Sequence, residues 1–446
     1  MTALLLHHLR SPELSRRLAQ LASGAPPQAP VSLRLELGIR DTDLLAALPA
    51  RGPFWYCAEP ARNLFRLGIG HAFHIASAGP NRFAALDNAF AGLCHHWCGD
   101  GEALAFSGFA FDASNNHPLP NALLAIPGIL LECIDNRYTA TLTIPAGRFR
   151  QAPQEWQDIL KTWSADQANA LLPDRPEPLL EQAWVARVRA ALRDIRSGHV
   201  DKLVLSRKRT LVAEQSFSAT NILANLLDQQ ADSLIYAHGN GRQIFLGASP
   251  EQLVKLQTGC VSADALAGTA WPGSEALQGD KNQHEQLLVV HAVVEALRPL
   301  CTTVPEISPT AEHPAGQLRH LRSRITANVY PDTRLFELVR ALHPTPAVGG
   351  FPIGAALEWL ADHREQRSAW YSGGFGMLDR QGNGEFCVAL RSALLDGRSA
   401  ELQAGAGIVA GSDPQQEFAE TEAKLATLRT AIETPPRQQN KARAHA

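Results

Sequence analysis

Three ionisable side chains in "GSDPQQEFAETEAKLATL", Glu417, Glu420 and Lys424, recur three and four residues apart. On a helix that spacing puts all three on one face. The helix is well announced: Asp413 stands at the N-cap, Pro414 at the first helical position, and Gln416 where a capping box closes. Phe418, Leu425, Leu428 and Ile432 supply its apolar stripe. An exposed i,i+4 ion pair accounts for Glu420 and Lys424 alone. Two glutamates on one face could also supply carboxylate oxygens to a hard cation such as Mg²⁺, with water and substrate completing the shell.

Other segments carry chemistry of the same kind. In "GDKNQHEQLLVVHAVVEAL" Glu285 sits near a predicted helix start, where the macrodipole favours an acid and where a second carboxylate ligand could come from. In "DKLVLSRKRT" Lys202 opens an alternating β pattern, either as a solvated strand entrance or as a buried base. Glu251 follows a strand and a proline turn in "GASPEQL", and Gly268 and Thr269 end another strand in "ALAGTAWPG". Arg391 lies in the apolar strand "CVALRSALL", on a solvated face or as a bidentate carboxylate clamp. Gly405 and Gly407 in "ELQAGAGIVAG" do not form a dinucleotide fingerprint, because they fall within a strand pattern and open no helix. They leave a backbone that an anion could approach closely. "ALHPTPAVGGFP" holds three prolines and two glycines, a rigid loop of the sort that lines sites.

These residues need a scaffold, and the chain is long enough to build one. Its 446 residues, 45% hydrophobic and 19% charged, suit a large globular core. A net charge of −3 gives no electrostatic footprint for nucleic acid or an anionic membrane. No apolar run reaches the roughly 18 residues that span a bilayer. Seven scattered cysteines point to reduced thiols and a cytoplasmic home. Helical patterns over 284–298, 334–342, 354–362 and 414–432 stand among strands at "SLIYAH", "QIFLGAS", "QLVKLQ", "GEFCVALRSALL" and "AELQAGAGIVAG". Adjacent pairs such as 234–238 with 244–249 read as hairpins. The expected class is α+β with a mostly antiparallel sheet. The proline cluster in "LLPDRPEPLLEQ" divides an N-terminal part, residues 1–175, from a catalytic region, residues 176–434, and a polar tail follows over 435–446.

In this order, "DKLVLSR", "LGASPEQL", "ALAGTA", "DKNQHEQLLVV", "LRHLRS", "LHPTPAVGGFP", "WYSGGFG", "CVALRSALL" and "AGAGIVAGSDPQQEFAETEAKL" resemble the chorismate-utilising enzyme family, over about residues 181 to 432. Within it the chain is most similar to the isochorismate synthases of the menaquinone type. The resemblance implies one α+β fold in which both halves give strands to a sheet sandwich with helices outside. It also implies Mg²⁺, the small-molecule substrate chorismate and no required glutaminase subunit. Isochorismate would form by water addition at C2 with loss of the C4 hydroxyl, feeding menaquinone or salicylate and siderophore synthesis.

The same resemblance gives Lys202 as general base and Glu251 as general acid. Glu285 and Glu420 become metal ligands with Glu417 assisting, and Tyr371, Arg391, Gly405 and Gly407 hold the substrate carboxylates. Lys424, Gly268, Thr269, His320 and Ala347 line the site. Ala267 stands where aminodeoxychorismate synthases carry a nucleophilic lysine, and Ala347 where ammonia-using and salicylate-forming relatives tend to have threonine. Asn282 departs from relatives that have an acid there. The alternatives are a salicylate synthase, which removes pyruvate from isochorismate at the same site, and a chorismate-binding homologue without turnover.

Overall fold

A computed structural model describes residues 1–39, 43–49, 52–101, 104–113, 118–160, 171–172, 179–272, 274, 277 and 279–435. The proline junction at 173–178 and the tail from 436 lie outside the described residues.

Among the described residues the strands form two sheets, one of twelve strands and one of ten. All pairings are antiparallel except the short one between Pro30–Glu36 and Cys98–Gly99. Both sheets draw strands from both halves of the chain. Leu234–Asn240 pairs with Pro53–Glu59 in the first, and Gly374–Asp379 with Leu104–Phe109 in the second.

The alternation of apolar residues explains the layers. Trp55, Tyr236, Phe245 and Leu394 on the first sheet meet Phe106, Phe375, Met377 and Cys387 on the second, forming the sandwich core. Each such side chain, removed from water, contributes about 1.5–3 kcal/mol before conformational entropy is set against it. Opposite faces carry helices. Asp280–Leu297 and Leu335–Leu342 cover the second sheet through Val289, Val293, Leu335 and Leu338. Leu180–Arg196 and Ile353–Asp362 cover one end of the first through Trp184, Val188, Ala356 and Leu360. Pro414–Glu433 lies over the same sheet, with Leu425, Leu428 and Ile432 buried and Phe418 half-buried.

Two stretches of chain pass from one sheet to the other side by side. Gln243–Ser249 belongs to the first sheet and Gln252–Gln257 to the second, while Gly384–Val388 and Ser392–Asp396 make the return. The paired strands stay paired on both sides of the crossing. Between them Ser249 Oγ donates to the Val388 carbonyl at 2.6 Å, and the Val388 amide to the Glu251 carbonyl at 3.1 Å. The run "GEFCVALRSALL" is therefore two strands rather than one, and Arg391 stands at the break. Its φ of +51° is a left-handed conformation that costs a non-glycine residue on the order of 1–3 kcal/mol. Both pieces are buried, and the polar pair Arg391–Ser392 at the break reads equally well as a solvated position within one strand.

Candidate active site

A cleft of about 650 Å³, counting its mouth, opens where the two crossings part the sheets. One crossing carries Glu251 and the other Arg391, and both line the cleft. Gly268, Thr269, Glu285, His320, Ala347, Tyr371, Gly405, Gly407, Glu420 and Lys424 line it too, as does Ala267. Lys202 and Glu417 stand just behind that lining, each paired to a charged neighbour.

Strand periodicity decides where Lys202 goes. Along Lys202–Val212, Leu203 and Leu205 pack outward against the helices with Ala406 and Ile408. Lys202 and Val204 must then face inward, where Val204 lines the cleft. Lys202 is fully buried, and its Nζ lies 2.8 Å from Glu285 Oε1. It is no solvated strand entrance.

The glycines on the neighbouring strand, Ser399–Val409, are explained by crowding. A Cβ on Gly407 would fall 2.5 Å from Glu285 Oε1 and 2.8 Å from Lys202 Cε. One on Gly405 would meet the Leu205 carbonyl at 2.7 Å and the Tyr371 hydroxyl at 3.1 Å. Sequence reading treats these positions as exposed backbone, whereas their empty side-chain space admits functional groups. Beyond Gln403 this strand also loses its partner on one side, because Ser392–Asp396 pairs only as far as that residue.

Three glutamates are each matched to a lysine. Besides Lys202 with Glu285, Lys281 Nζ meets Glu417 Oε1 at 2.5 Å and Lys424 Nζ meets Glu420 Oε1 at 2.5 Å. The last is the i,i+4 pair read from sequence, but it is mostly buried. Lys424 also donates to the Gly405 carbonyl at 2.9 Å. Glu285 sits in the second turn of its helix and takes the Gly268 amide at 3.3 Å. Burial opposes its charge, but Lys202, then Lys281 and Lys424, hold its carboxyl below the usual range. Glu417 differs: burial, then the nearby Glu420 charge, push it up to about 7 against the pull of Lys281. Its Oε2 is buried without a partner. Asn282 packs beside Gly268, whose absent side chain would lie 3.2 Å from Asn282 Oδ1 and whose φ is +64°.

Glu251 is 2% exposed, and its Oε1 has no partner. Burial, reinforced by the Asp264 charge, pushes its carboxyl up to about 8 against Lys202 and Lys424. Around neutral pH it carries a proton that it can give. Arg391 does the opposite job. Its Nη2 donates to His320 Nε2 at 2.9 Å, while Nη1 is buried with no partner. His320 Nδ1 faces the Gly268 carbonyl at 2.8 Å and so carries the ring proton. Burial and then the Arg391 charge push His320 well down, keeping it neutral. Burial lowers Arg391 only to about 10, so it stays a cation with a free donor in the cleft. Such a group suits a carboxylate.

Sequence reasoning did not single out Lys281 or Arg367. Lys281 reads as an ordinary polar residue of a first helical turn. Arg367 is buried at the cleft over the Phe111 ring, 3.8 Å from its centroid, and donates to Ser372 Oγ and the Val204 carbonyl at 2.6 and 3.1 Å. Only the depth of the loop that bears it could have marked it.

Among the described residues no helix is long and apolar enough to cross a membrane. A family model described as chorismate binding enzyme matches residues 20–433. The salicylate biosynthesis isochorismate synthase of Pseudomonas aeruginosa is 37% identical over 259 residues, 56% of this chain and 54% of that protein. Isochorismate synthase MenF of Bacillus subtilis is 30% identical over 309 residues, 65% of this chain and 66% of its own length. The chain thus matches roughly half to two thirds of these relatives' lengths. In fold it is similar to MenF, the menaquinone-specific isochorismate synthase from Escherichia coli, with a TM-score of 0.79 at 24% identity, covering 94% of this chain and 98% of that one.

Proposed function

The chain belongs to the chorismate-binding enzyme family, and we propose that it converts chorismate to isochorismate, adding water at C2 as the C4 hydroxyl departs. The observation that carries this reading is Glu251: a buried carboxyl with an unsatisfied Oε1, protonated near neutral pH and lining the cleft that Lys202 flanks. In this reading Lys202, as the neutral amine once its pairing with Glu285 is given up, takes a proton from the attacking water, and Glu251 gives one to the leaving hydroxyl. Arg391 Nη1, with Tyr371 beside it, receives one substrate carboxylate, and the neutral His320 fixes the guanidinium from behind.

Glu285 and Glu420, with Glu417 assisting, would hold Mg²⁺. Among the described residues no three His, Cys, Asp or Glu side chains form a finished metal site, so the lysine contacts must yield to the ion. The donor chemistry fits nonetheless: all ligands are carboxylate oxygens, and Glu417 Oε2 is buried and unsatisfied. Bound there, the ion neutralises the second carboxylate of a dianionic substrate.

Ala267 in the cleft wall offers no competing lysine nucleophile, which supports water as the nucleophile and action without an ammonia-supplying subunit. Seven free cysteines suit the cytoplasm. The product would feed menaquinone or salicylate-type synthesis, the two uses for which similar enzymes are named. Purified protein given chorismate and Mg²⁺ should yield isochorismate by chromatography. Salicylate without added lyase would instead indicate a salicylate synthase. Unchanged chorismate, in an assay where a known enzyme turns over, would leave only binding.

A further inference from the structure

Glu251 has a second face. Behind the cleft lies another cavity, about 940 Å³ with its mouth, bounded by Glu251 together with Ser262, Asp264, His313, Arg322 and Arg324. Glu251 thus borders both the substrate cleft and a solvent-open chamber, with its Oε1 itself shielded from water. On the cleft side it meets the charges of Lys202, Lys424 and Arg391, with the Thr345 hydroxyl close by. On the rear side the charge acting on it is Asp264, which is 3% exposed on the strand Cys260–Ala270.

Several of the other rear charges are paired. Arg324 Nε holds Asp264 Oδ1 at 3.2 Å, Arg322 Nη1 meets His313 Nε2 at 3.3 Å, and Lys255 meets Glu385 at 3.3 Å. Burial keeps the Cys387 thiol neutral and pushes His313 down.

We propose that this rear cavity is the proton port of Glu251, with Asp264 as the positioning residue that keeps a proton on the carboxyl. The inference rests on Glu251 acting as the general acid. Each turnover moves one proton from the attacking water to the Lys202 amine and one from Glu251 to the leaving hydroxyl, which departs as water. The enzyme is left with an ammonium and a carboxylate. To reset, Lys202 releases its proton through the cleft, and Glu251 regains one from water in the rear cavity. Glu251 can be reprotonated from the rear while product still fills the cleft, whereas Lys202, on the cleft side, is reset only after product has left.

The test is kcat against pH. Activity that needs protonated Glu251 falls as pH rises through its titration. Asp264→Asn removes a like charge, so this alkaline limb should move down by about one pH unit, with KM at pH 6.5 unchanged. Asp264→Glu should restore it. Arg324→Gln, at a half-exposed side chain, leaves the Asp264 charge uncompensated and should move the limb up. A merely structural role would shift both variants alike or neither, and either result overturns the inference. Narrowing the chamber beside Asp264 with Ser262→Leu should slow steady-state turnover severalfold while sparing the single-turnover rate, and equal rates would remove the port. Glu251→Gln separates the premises: if it is active, the general-acid reading falls. If it is inactive while the limb stays put in Asp264→Asn, only the rear inference falls.

Discussion

Glu251 and Glu285 are both buried glutamates on one cleft, yet their surroundings drive them apart. Glu285 faces three lysines, Lys202 foremost, and is held as a carboxylate. Glu251 sits on a sheet crossing whose rear face presents Asp264, and burial keeps it protonated to about pH 8. Residue type is the same and depth is similar. What differs is the balance of nearby charges, Asp264 against Lys202 and Lys424 at Glu251 but three lysines and a Lys202 hydrogen bond at Glu285, and that is enough to separate the proposed proton donor from the proposed cation ligand.

The comparison is broken most severely at the lysine the two acids share. Lys202→Ala should lower turnover by about 10²–10⁴-fold while chorismate binding, followed by equilibrium titration, stays within a few-fold. Near-normal kcat would remove the amine from the reaction. Gly407→Ala attacks the same pair without removing it, since the new methyl would land on Glu285 Oε1 and Lys202 Cε. A displacement of that size should cost about 10²-fold in kcat with an unchanged circular dichroism spectrum. Wild-type activity would mean that the pair need not keep its present geometry. Glu420→Ala reaches the other side of the comparison. The Mg²⁺ concentration for half-maximal activity should rise by about tenfold or more, and an unaltered metal titration would move the ion elsewhere.

What the sequence disclosed and what it withheld follow the same physical line. Local signals were legible. The Asp413 cap does accept from the Gln415 and Gln416 amides, and helices predicted over 284–298 and 354–362 occur at Asp280–Leu297 and Ile353–Asp362. The α+β class and the antiparallel pairing of 234–240 with 243–249 were also readable, because alternation and turn residues are written locally. Convergence was not. Nothing near Arg391 tells that its strand changes sheets there, and nothing near Gly407 tells that its missing side chain makes room for a lysine some two hundred residues earlier. Lys281 looks like any solvated first-turn cation until Glu417 is found against it. Ordered motifs carried the resemblance across that gap, and the charge environment of each acid became readable only in the fold.

The smallest expected effect is the sharpest check on that environment, because it needs no catalysis. An acid raised by folding binds its proton more tightly in the native state, so its stabilisation is complete below the unfolded value near 4.5 and is lost as pH climbs to about 8. Glu251→Gln has no such loss. Its Tm relative to the unmodified protein should therefore rise between pH 5 and 8 by about a few degrees and then level off. Glu285 carries the opposite sign. Folding lowers its pKa, so the ionised side chain contributes stability above the unfolded value, and that contribution fades as pH falls through the lowered one. Glu285→Gln should accordingly be less stable than the parent at pH 7 and converge with it in acid. Two neutralising substitutions on one cleft would thus give Tm differences of opposite sign at neutral pH. Scanning calorimetry across pH 4 to 9 reads both, and curves of the same sign would mean that the two acids share one environment after all.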